Sequence, residues 1–248
     1  MAWEVIEREP LVLPVSENLD ADLWATLIEL TEHSPGEWTL IGGLMVFVLA
    51  LENGETPPRL STDIDVLVNA RIVSNSIPKF VRELEQRGFE LAGISADNVA
   101  HRYHRRGISV DVLSPEGVGS RANLSTTSSG HTVQVPGGSQ ALDRTELLPI
   151  VFGVTTGYIP RPSLLGAIIC KACAVFVDDV PDAQRLDLAF LLSLVDDPLA
   201  LRNNLTSKDR KRLLAPHGLS DPKNPAWAIL DTEAQDRGRA TLRLLTGG

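Results

Sequence analysis

Apolar side chains recur along the chain with two spacings, and each spacing predicts a different kind of element. A spacing of three to four residues places side chains on one face of a helix, whereas alternation with polar residues, or a short apolar run between turn residues, indicates a strand. The predicted helices cover residues 20–32, 44–53, 74–88, 163–177, 182–194, 199–218 and 225–245, with Asp20 and Ser163 as expected N-caps. The predicted strands cover residues 38–41, 59–69, 89–93, 100–105 and 108–113, a short strand within 124–138, and a hairpin within 141–160.

The order of these elements predicts an α+β fold. Strands and helices alternate up to about residue 160, and helices dominate after Arg161-Pro162. We therefore expect a mixed sheet flanked by helices in a domain of residues 1–160, followed by a mainly helical C-terminal half, residues 161–248. The chain has 248 residues, of which 43% are hydrophobic and 22% charged, which suffices for a buried core. No run of about 18 apolar residues occurs, so we expect no membrane span.

Charge and cysteine content narrow the classes of function. The formal net charge of −9 argues against a general polyanion binder, so a nucleic-acid partner would need a local basic surface. Cys170 and Cys173 form Cys-x-x-Cys, a pattern found in redox sites and in halves of zinc sites. A zinc site needs about four ligands, and no second pair completes one. We therefore expect two buried free thiols in a helix and a cytoplasmic location.

Two aspartates lie inside the predicted strand 59–69. Side chains of a strand alternate between its faces, so Asp63 and Asp65 project to the same side. Adjacent carboxylates repel each other, and Mg²⁺, which prefers hard oxygen ligands, removes the repulsion. Asp111 alternates with two valines in the predicted strand 108–113 and would add a third carboxylate from an antiparallel neighbouring strand. The alternative for Asp111 is an ordinary solvent-facing position.

Gly42 and Gly43 lie between a predicted strand and a predicted helix. Glycines at such a turn allow the backbone to approach a ligand closely, and the amides of the helix N-terminus then face outward, ready for phosphate. The alternative is an ordinary tight turn, which a Gly-Gly pair also forms.

Two charged residues interrupt the apolar faces of consecutive predicted helices. Lys171 lies on the apolar face of helix 163–177, and Asp187 lies on that of helix 182–194. Lys171 could extend its long side chain to solvent or point at a phosphate. Two opposite charges placed in this way predict either a shared functional site or a buried ion pair.

Basic residues cluster in the last two predicted helices. They are Lys208, Arg210, Lys211 and Arg212, followed by Arg237, Arg239 and Arg243. Such a cluster indicates either a solvated helix face or a local patch for an RNA backbone.

These motifs resemble a known superfamily. The hydrophobic-Gly-Gly segment, T-D-I-D-V-L-V at residues 62–68 and V-D-V-L around Asp111 are similar to the nucleotidyltransferase superfamily of DNA polymerase beta type. Within it, R-x-x-T-D-I-D at 59–65 and the run K-A-x-A…R-x-D-L-A-x-L-L at 171–192 resemble the AbiEii-type toxin family. That family includes bacterial toxin–antitoxin and phage-defence toxins, and some members transfer nucleotides from NTPs to the tRNA acceptor end.

The resemblance spans about residues 38–195 and implies a nucleotidyltransferase-like mixed sheet with a defined set of site residues. The implied catalytic residues are Asp63, Asp65, Asp111, Lys171 and Asp187; the implied triphosphate-binding residues are Gly42, Gly43 and Lys171; the implied Mg²⁺ ligands are Asp63, Asp65 and Asp111. Two departures stand out. The chain between Gly43 and Asp63 is longer than is usual in the superfamily, with the extra length in the E-N-G-E-T-P-P loop, and Gly43 replaces a frequent serine.

The expected function is therefore Mg²⁺-dependent transfer of NMP from an NTP to an acceptor. The resemblance suggests RNA, such as a tRNA 3′ end, in a toxin–antitoxin or phage-defence setting where a cognate antitoxin protein would be a partner. Two alternatives stay open. One is a small-molecule, antibiotic-type nucleotidyltransferase, which would need acidic residues around its acceptor. The other is a catalytically inactive nucleotide- or partner-binding protein of the same fold.

Overall fold

The computed structural model describes residues 3–15, 21–71, 75–119, 122–215 and 217–247. The strands are β1 Glu4–Val5, β2 Leu11–Val12, β3 Trp38–Ile41, β4 Ile64–Val68, β5 Glu90–Leu91, β6 Arg102–Arg105, β7 Ile108–Pro115, β8 Gln134–Val135, β9 Thr145–Phe152 and β10 Thr155–Pro162. The helices are α1 Ala21–His33, α2 Gly42–Glu52, α3 Ser76–Gln86, α4 Gly138–Asp143, α5 Leu164–Ala174, α6 Pro181–Ser193, α7 Pro198–Asn203, α8 Ser207–Leu214 and α9 Thr232–Thr246, with a 3₁₀ turn at Pro225–Trp227.

The larger sheet has the strand order β3-β4-β7-β6-β5, with β8 beside the end of β7. β4 is antiparallel to β3 and parallel to β7, and β6 is antiparallel to both of its neighbours. Helix α2 is apolar on every side, and its residues 43–50 are all buried against this sheet and the C-terminal helices. The N-terminus of α2 is thereby fixed next to the start of β4.

The smaller sheet is built on the hairpin of β9 and β10. β1 and β2 pair in parallel with β9, and β10 packs beside β3. One continuous hydrophobic core runs from α1 through both sheets to α9. The predicted boundary near residue 160 stays a prediction, although the core continues across it.

Helices α5 and α6 connect the sheets to the C-terminal half. The Ser163 hydroxyl accepts a hydrogen bond from the Gly166 amide, which confirms the predicted N-cap of α5. α5 and α6 pack on each other and on α2. This packing places Lys171 and Asp187, the charged residues on the apolar faces of these two helices, next to the start of β4. After Pro162, the regular elements in the described part of the chain are all helical.

The architecture confirms the predicted α+β class, with mixed sheets flanked by helices, and corrects several details. The predicted helix 199–218 is two helices, α7 and α8, and the predicted helix 225–245 is a 3₁₀ turn followed by α9. β7 is parallel to β4, not antiparallel, because β7 forms its hairpin with β6 and offers its other edge to β4. β4 begins at Ile64 instead of residue 59, so Asp63 precedes it. The short helix α4 was not predicted, since six residues are too few for a periodic signal. The expected cap Asp20 lies outside the described residues.

Within the described ranges, no helix combines the length and the apolar character that a bilayer crossing requires.

Candidate functional site

A cleft of about 360 Å³ opens where the start of α2, the start of β4 and helix α5 meet. Its lining divides into a polar and an apolar set. The polar set contains Gly42, Gly43, Arg59, Ser61, Asp63, Asp65, Lys171 and Gln184, and the apolar set contains Leu113, Val133, Val135, Pro136, Ala174 and Val177. The cleft therefore brings together five residues that the sequence singled out, from three distant segments.

The two glycines allow the start of α2 to contact the opposite wall closely. Gly42 has φ +72°, and a Cβ at this position would overlap the Asp65 carboxylate. A Cβ on Gly43 would lie 2.6 Å from the Ser61 hydroxyl oxygen. The N-cap Ile41 provides no side-chain hydrogen bond, so the first-turn amides of α2 have no side-chain acceptor at the cap. The conformation and contacts of Gly42 go beyond what an ordinary tight turn requires.

Asp63, just before β4, and Asp65, within it, line the cleft. Asp63 is exposed and Asp65 partly buried, and in the described part of the chain neither carboxylate receives a hydrogen bond or ion pair shown by the structure. Burial raises the pKa of the Asp65 carboxyl to about 7, and the nearby carboxylate of Asp111 is the second cause. The negative charge on this wall is therefore incompletely compensated by the protein itself.

Asp111 lies directly beside Asp65, as its partner in the parallel pairing of β4 and β7. It is 5% exposed, so the solvent-facing alternative is wrong. Its two oxygens accept hydrogen bonds of 2.8 and 2.7 Å from Arg102 Nε and Nη2, and the side-chain hydrogen bond raises the pKa of Arg102. His101 Nε2 lies 3.8 Å from the same carboxylate. The third carboxylate is thus in the expected neighbourhood but is held by an arginine.

The fit of a Mg²⁺ ion follows from these contacts. Among the described residues, no group of three or more His, Cys, Asp or Glu side chains is arranged as a metal site. Mg²⁺, however, commonly binds through one or two carboxylates together with substrate phosphates and water. Asp63 and Asp65 supply two such hard-oxygen donors, so they fit an ion that arrives with a nucleotide. Asp111 lies beside Asp65 but already accepts two hydrogen bonds from Arg102.

Lys171 and Asp187 form a buried ion pair. The Lys171 ammonium lies 2.7 Å from Asp187 Oδ2, and the two side chains are 2% and 0% exposed. Arg59 also donates to Asp187, from Nε at 2.9 Å and from Nη2 at 2.6 Å. Because Lys171 and Arg59 both line the cleft, the pair is at once a buried ion pair and part of the candidate site. The buried ion pair, one of the two alternatives from the sequence, is therefore present, and the shared functional site stays a prediction.

Sequence reasoning gave no role to four side chains that line the cleft, namely Arg59, Ser61, Asp178 and Gln184. Gln184 accepts from Lys171 at 2.8 Å and donates to Asp178 at 2.7 Å, which extends the network to the rim. Arg59 and Ser61 come from the long loop after α2, so this loop supplies cleft residues in addition to length. The R-x-x-T-D-I-D motif already signalled Arg59, whereas Gln184 carried no signal.

The two cysteines are free and buried, as expected. Burial raises the pKa of the Cys170 thiol to about 12 and that of the Cys173 thiol to about 11.

The basic residues of the last helices have structural partners. Arg212 pairs with Glu116 at 2.7 Å, Arg237 donates to the Ser193 carbonyl, and Arg239 donates to the Pro222 carbonyl. An RNA surface formed by these segments stays a prediction.

Comparisons with known proteins give one weak likeness. No protein-family model matches the sequence, and no curated protein matches it. The structure is similar to the crystal structure of an antigenic nucleotidyltransferase-like protein from Paracoccidioides brasiliensis, with a TM-score of 0.46 and 12% sequence identity over 78% of this chain and 87% of that chain. A likeness of this size does not assign an activity. Membership of the AbiEii-type family stays a prediction.

Proposed function

We propose that this protein is a Mg²⁺-dependent nucleotidyltransferase that moves NMP from an NTP to an acceptor hydroxyl. The observation that carries the proposal is the contact between the start of α2 and the aspartate wall, where Gly42 packs on Asp65. A bound nucleoside triphosphate uses both features, since backbone amides donate hydrogen bonds to its phosphate oxygens and carboxylates hold its cation.

The cleft residues then divide by task. Asp63 and Asp65 hold Mg²⁺, which when bound neutralises phosphate charge and favours deprotonation of the acceptor hydroxyl. The α2 amides at Gly42 and Gly43 orient the triphosphate. The Ser61 hydroxyl lies where a side chain at residue 43 would project, so it takes the place of the serine missing there.

Positive charge for the departing pyrophosphate comes from the buried network. Lys171 and Arg59 both line the cleft, and both retain N–H groups beyond those that bind Asp187 and Gln184. Their fixed positions suit stabilisation of charge that develops on the leaving group. Asp187 does not line the cleft, and it acts as a positioning residue for Lys171 and Arg59.

The apolar set of lining residues suits the nucleobase. Val133, Val135 and Val177 lie around one cleft with the phosphate-directed groups, so an NTP can place its base on apolar side chains and its phosphates on charged ones. No side chain in this set selects one base over the others.

For the acceptor we propose RNA. The tRNA 3′ end, a toxin–antitoxin or phage-defence setting and a cognate antitoxin are supported only by the resemblance of the motifs at 59–65 and 171–192.

Incorporation of each radiolabelled NTP into total RNA, with and without Mg²⁺, tests the proposal. The wild-type protein should label RNA only with Mg²⁺, and Asp63→Asn and Asp65→Asn should each reduce labelling by a factor of about 100 or more, as loss of a charge-stabilising group does. Asp236→Asn is the matched control, because Asp236 is 75% exposed on α9 and away from the cleft. Equal labelling by all variants would exclude this site.

Calorimetry of ATP and GTP with Mg²⁺ separates activity from binding. Heat of binding that disappears in Asp65→Asn supports the cleft even if RNA is not labelled. Absence of Mg²⁺-NTP binding by the wild-type protein would instead favour the inactive alternative and would refute nucleotidyl transfer.

A further inference from the structure

A second cavity, of about 500 Å³, borders the candidate catalytic cleft. Arg59 lines both, so the two cavities lie within the span of one side chain. The ridge between them is the first turn of α6, where Gln184 lines the cleft while Asp182 and Arg185 line the second cavity. A group held in the second cavity can therefore extend towards the aspartate wall past Arg59.

The second cavity contains two arginines, Arg185 and Arg59, that are fixed in position. Arg185 donates from Nε to the His217 carbonyl at 2.9 Å and from Nη1 to Asp182 at 2.6 Å. Arg59 is held in a similar way by Asp187. A guanidinium has five N–H donors, so each arginine keeps donors that are free of these bonds and pre-oriented for phosphate oxygens.

The remainder of the cavity is apolar and open to solvent. Leu186, Pro225 and Ile229 line it, and Ile229 is 60% exposed. The cavity therefore combines apolar side chains with two arginines whose positions are fixed. A nucleotide has the complementary pair of features, a planar base and a phosphate, and the volume lies in the range of ligand cavities.

We propose that the second cavity binds the 3′-terminal nucleotide of the acceptor RNA, with its phosphate on Arg185 and its base on Leu186, Pro225 and Ile229. This inference rests on the proposed nucleotidyl transfer and names the acceptor site for it. Bound in this way, the terminal hydroxyl faces the cleft past Arg59, on the side where Asp63 and Asp65 line the adjoining wall.

The charge of the cavity disfavours a cationic acceptor. Its charged lining residues are two arginines and one aspartate, and Asp182 is already paired with Arg185. A polycationic antibiotic would require several free carboxylates and would meet two guanidinium groups instead. The antibiotic-type alternative therefore does not fit this cavity.

Fluorescence anisotropy with a short 5′-fluorescein-labelled single-stranded RNA tests the site, with calorimetry of Mg²⁺-ATP run on the same variants. Ile229→Glu places a negative charge where we expect the base and phosphate, and should weaken RNA binding about tenfold or more. Ile229 is exposed, so the substitution leaves the core intact. Arg185→Gln, which keeps a donor for Asp182, provides a second variant. Ile94→Glu is the matched control, since Ile94 is 46% exposed and lines neither cavity.

The outcomes separate this inference from the proposed function. Weaker RNA binding by Ile229→Glu and Arg185→Gln, with unchanged Mg²⁺-ATP binding and an unaffected control, supports the acceptor site. Wild-type RNA affinity in both variants overturns the site while nucleotidyl transfer stands. Tighter binding of a DNA strand of the same sequence overturns the RNA assignment. Absence of Mg²⁺-ATP binding by the wild-type protein overturns both proposals.

Discussion

Removing one member of the buried ion pair of Lys171 and Asp187 should lower the free energy of unfolding by an amount that depends on which member is removed. Asp187→Asn leaves the Lys171 ammonium buried beside the neutral acceptor Gln184, and loss of one partner from a buried pair costs about 3–5 kcal/mol. Lys171→Met leaves Asp187 with both hydrogen bonds from Arg59, so we expect a smaller loss of about 1–3 kcal/mol.

The double variant measures the interaction itself. Lys171→Met with Asp187→Asn leaves Arg59 alone, and the Arg59 side chain is 31% exposed, so its charge can be hydrated. We therefore expect the double variant to lose about 1–3 kcal/mol less than the sum of the single losses.

Urea unfolding followed by tryptophan fluorescence provides the measurement, because Trp24, Trp38 and Trp227 are fully buried and report on the whole core. Glu233→Gln is the control: Glu233 is 88% exposed in its pair with Arg237, and its loss should cost below about 0.5 kcal/mol. A larger loss for Lys171→Met than for Asp187→Asn, or strictly additive losses, would refute the argument.

Three further predictions concern the backbone and pH. Gly42→Ala should reduce the free energy of unfolding by about 1–3 kcal/mol through backbone strain, and it should abolish Mg²⁺-NTP binding because the new Cβ displaces Asp65. Gly54 has φ +69° and open space around it, so Gly54→Ala should show the strain alone in urea unfolding. The pKa of Asp65 is raised from its ordinary value of 3.8 to about 7 in the folded state, so between these pH values the folded protein holds a proton that the unfolded chain releases. The free energy of unfolding should therefore fall as pH rises between these values. Urea titrations of Asp65→Asn should lose that pH dependence. Burial lowers the pKa of His217 from its ordinary value of 6.5. The contribution of the neutral imidazole to stability is therefore fully present above about pH 6.5 and should be lost as the pH falls below it. Thermal melts of His217→Gln should lack this pH dependence.

Each of these has an outcome that contradicts it. Equal losses of nucleotide binding in Gly42→Ala and Gly54→Ala would show that contact with Asp65 is irrelevant. A pH slope that persists in Asp65→Asn would assign the proton to another group. Identical acid sensitivity of wild type and His217→Gln would mean that the histidine, which accepts from the Leu219 amide, tolerates protonation.

Local patterns predicted most of the elements because secondary structure depends on spacing within the chain. The short run Trp38–Ile41 before Gly42 predicted β3, and the alternation around Asp63 and Asp65 placed both carboxylates on one side, where the cleft has them. The lysine and aspartate on apolar helix faces were recognisable as unusual from periodicity alone. These features need no knowledge of distant residues.

The partners of those residues could not be predicted in the same way. Arg59 reaches Asp187 across 128 positions, and Arg102 holds Asp111 only because the register of β6 against β7 sets them opposite each other. Strand direction was likewise undetermined, and the antiparallel placement of β7 beside β4 was wrong. Register and direction depend on which edges remain available after folding.

The sequence by itself therefore determined which groups this protein carries: a glycine pair, an aspartate pair, a third carboxylate, and opposite charges on two apolar helix faces. Only the tertiary structure decided which charges form ion pairs. Asp187 pairs with Lys171 and Arg59, and Asp111 pairs with Arg102, whereas Asp63 and Asp65 line the cleft. The physical reason is that side-chain periodicity is local, whereas charge compensation depends on contacts between segments far apart in the chain.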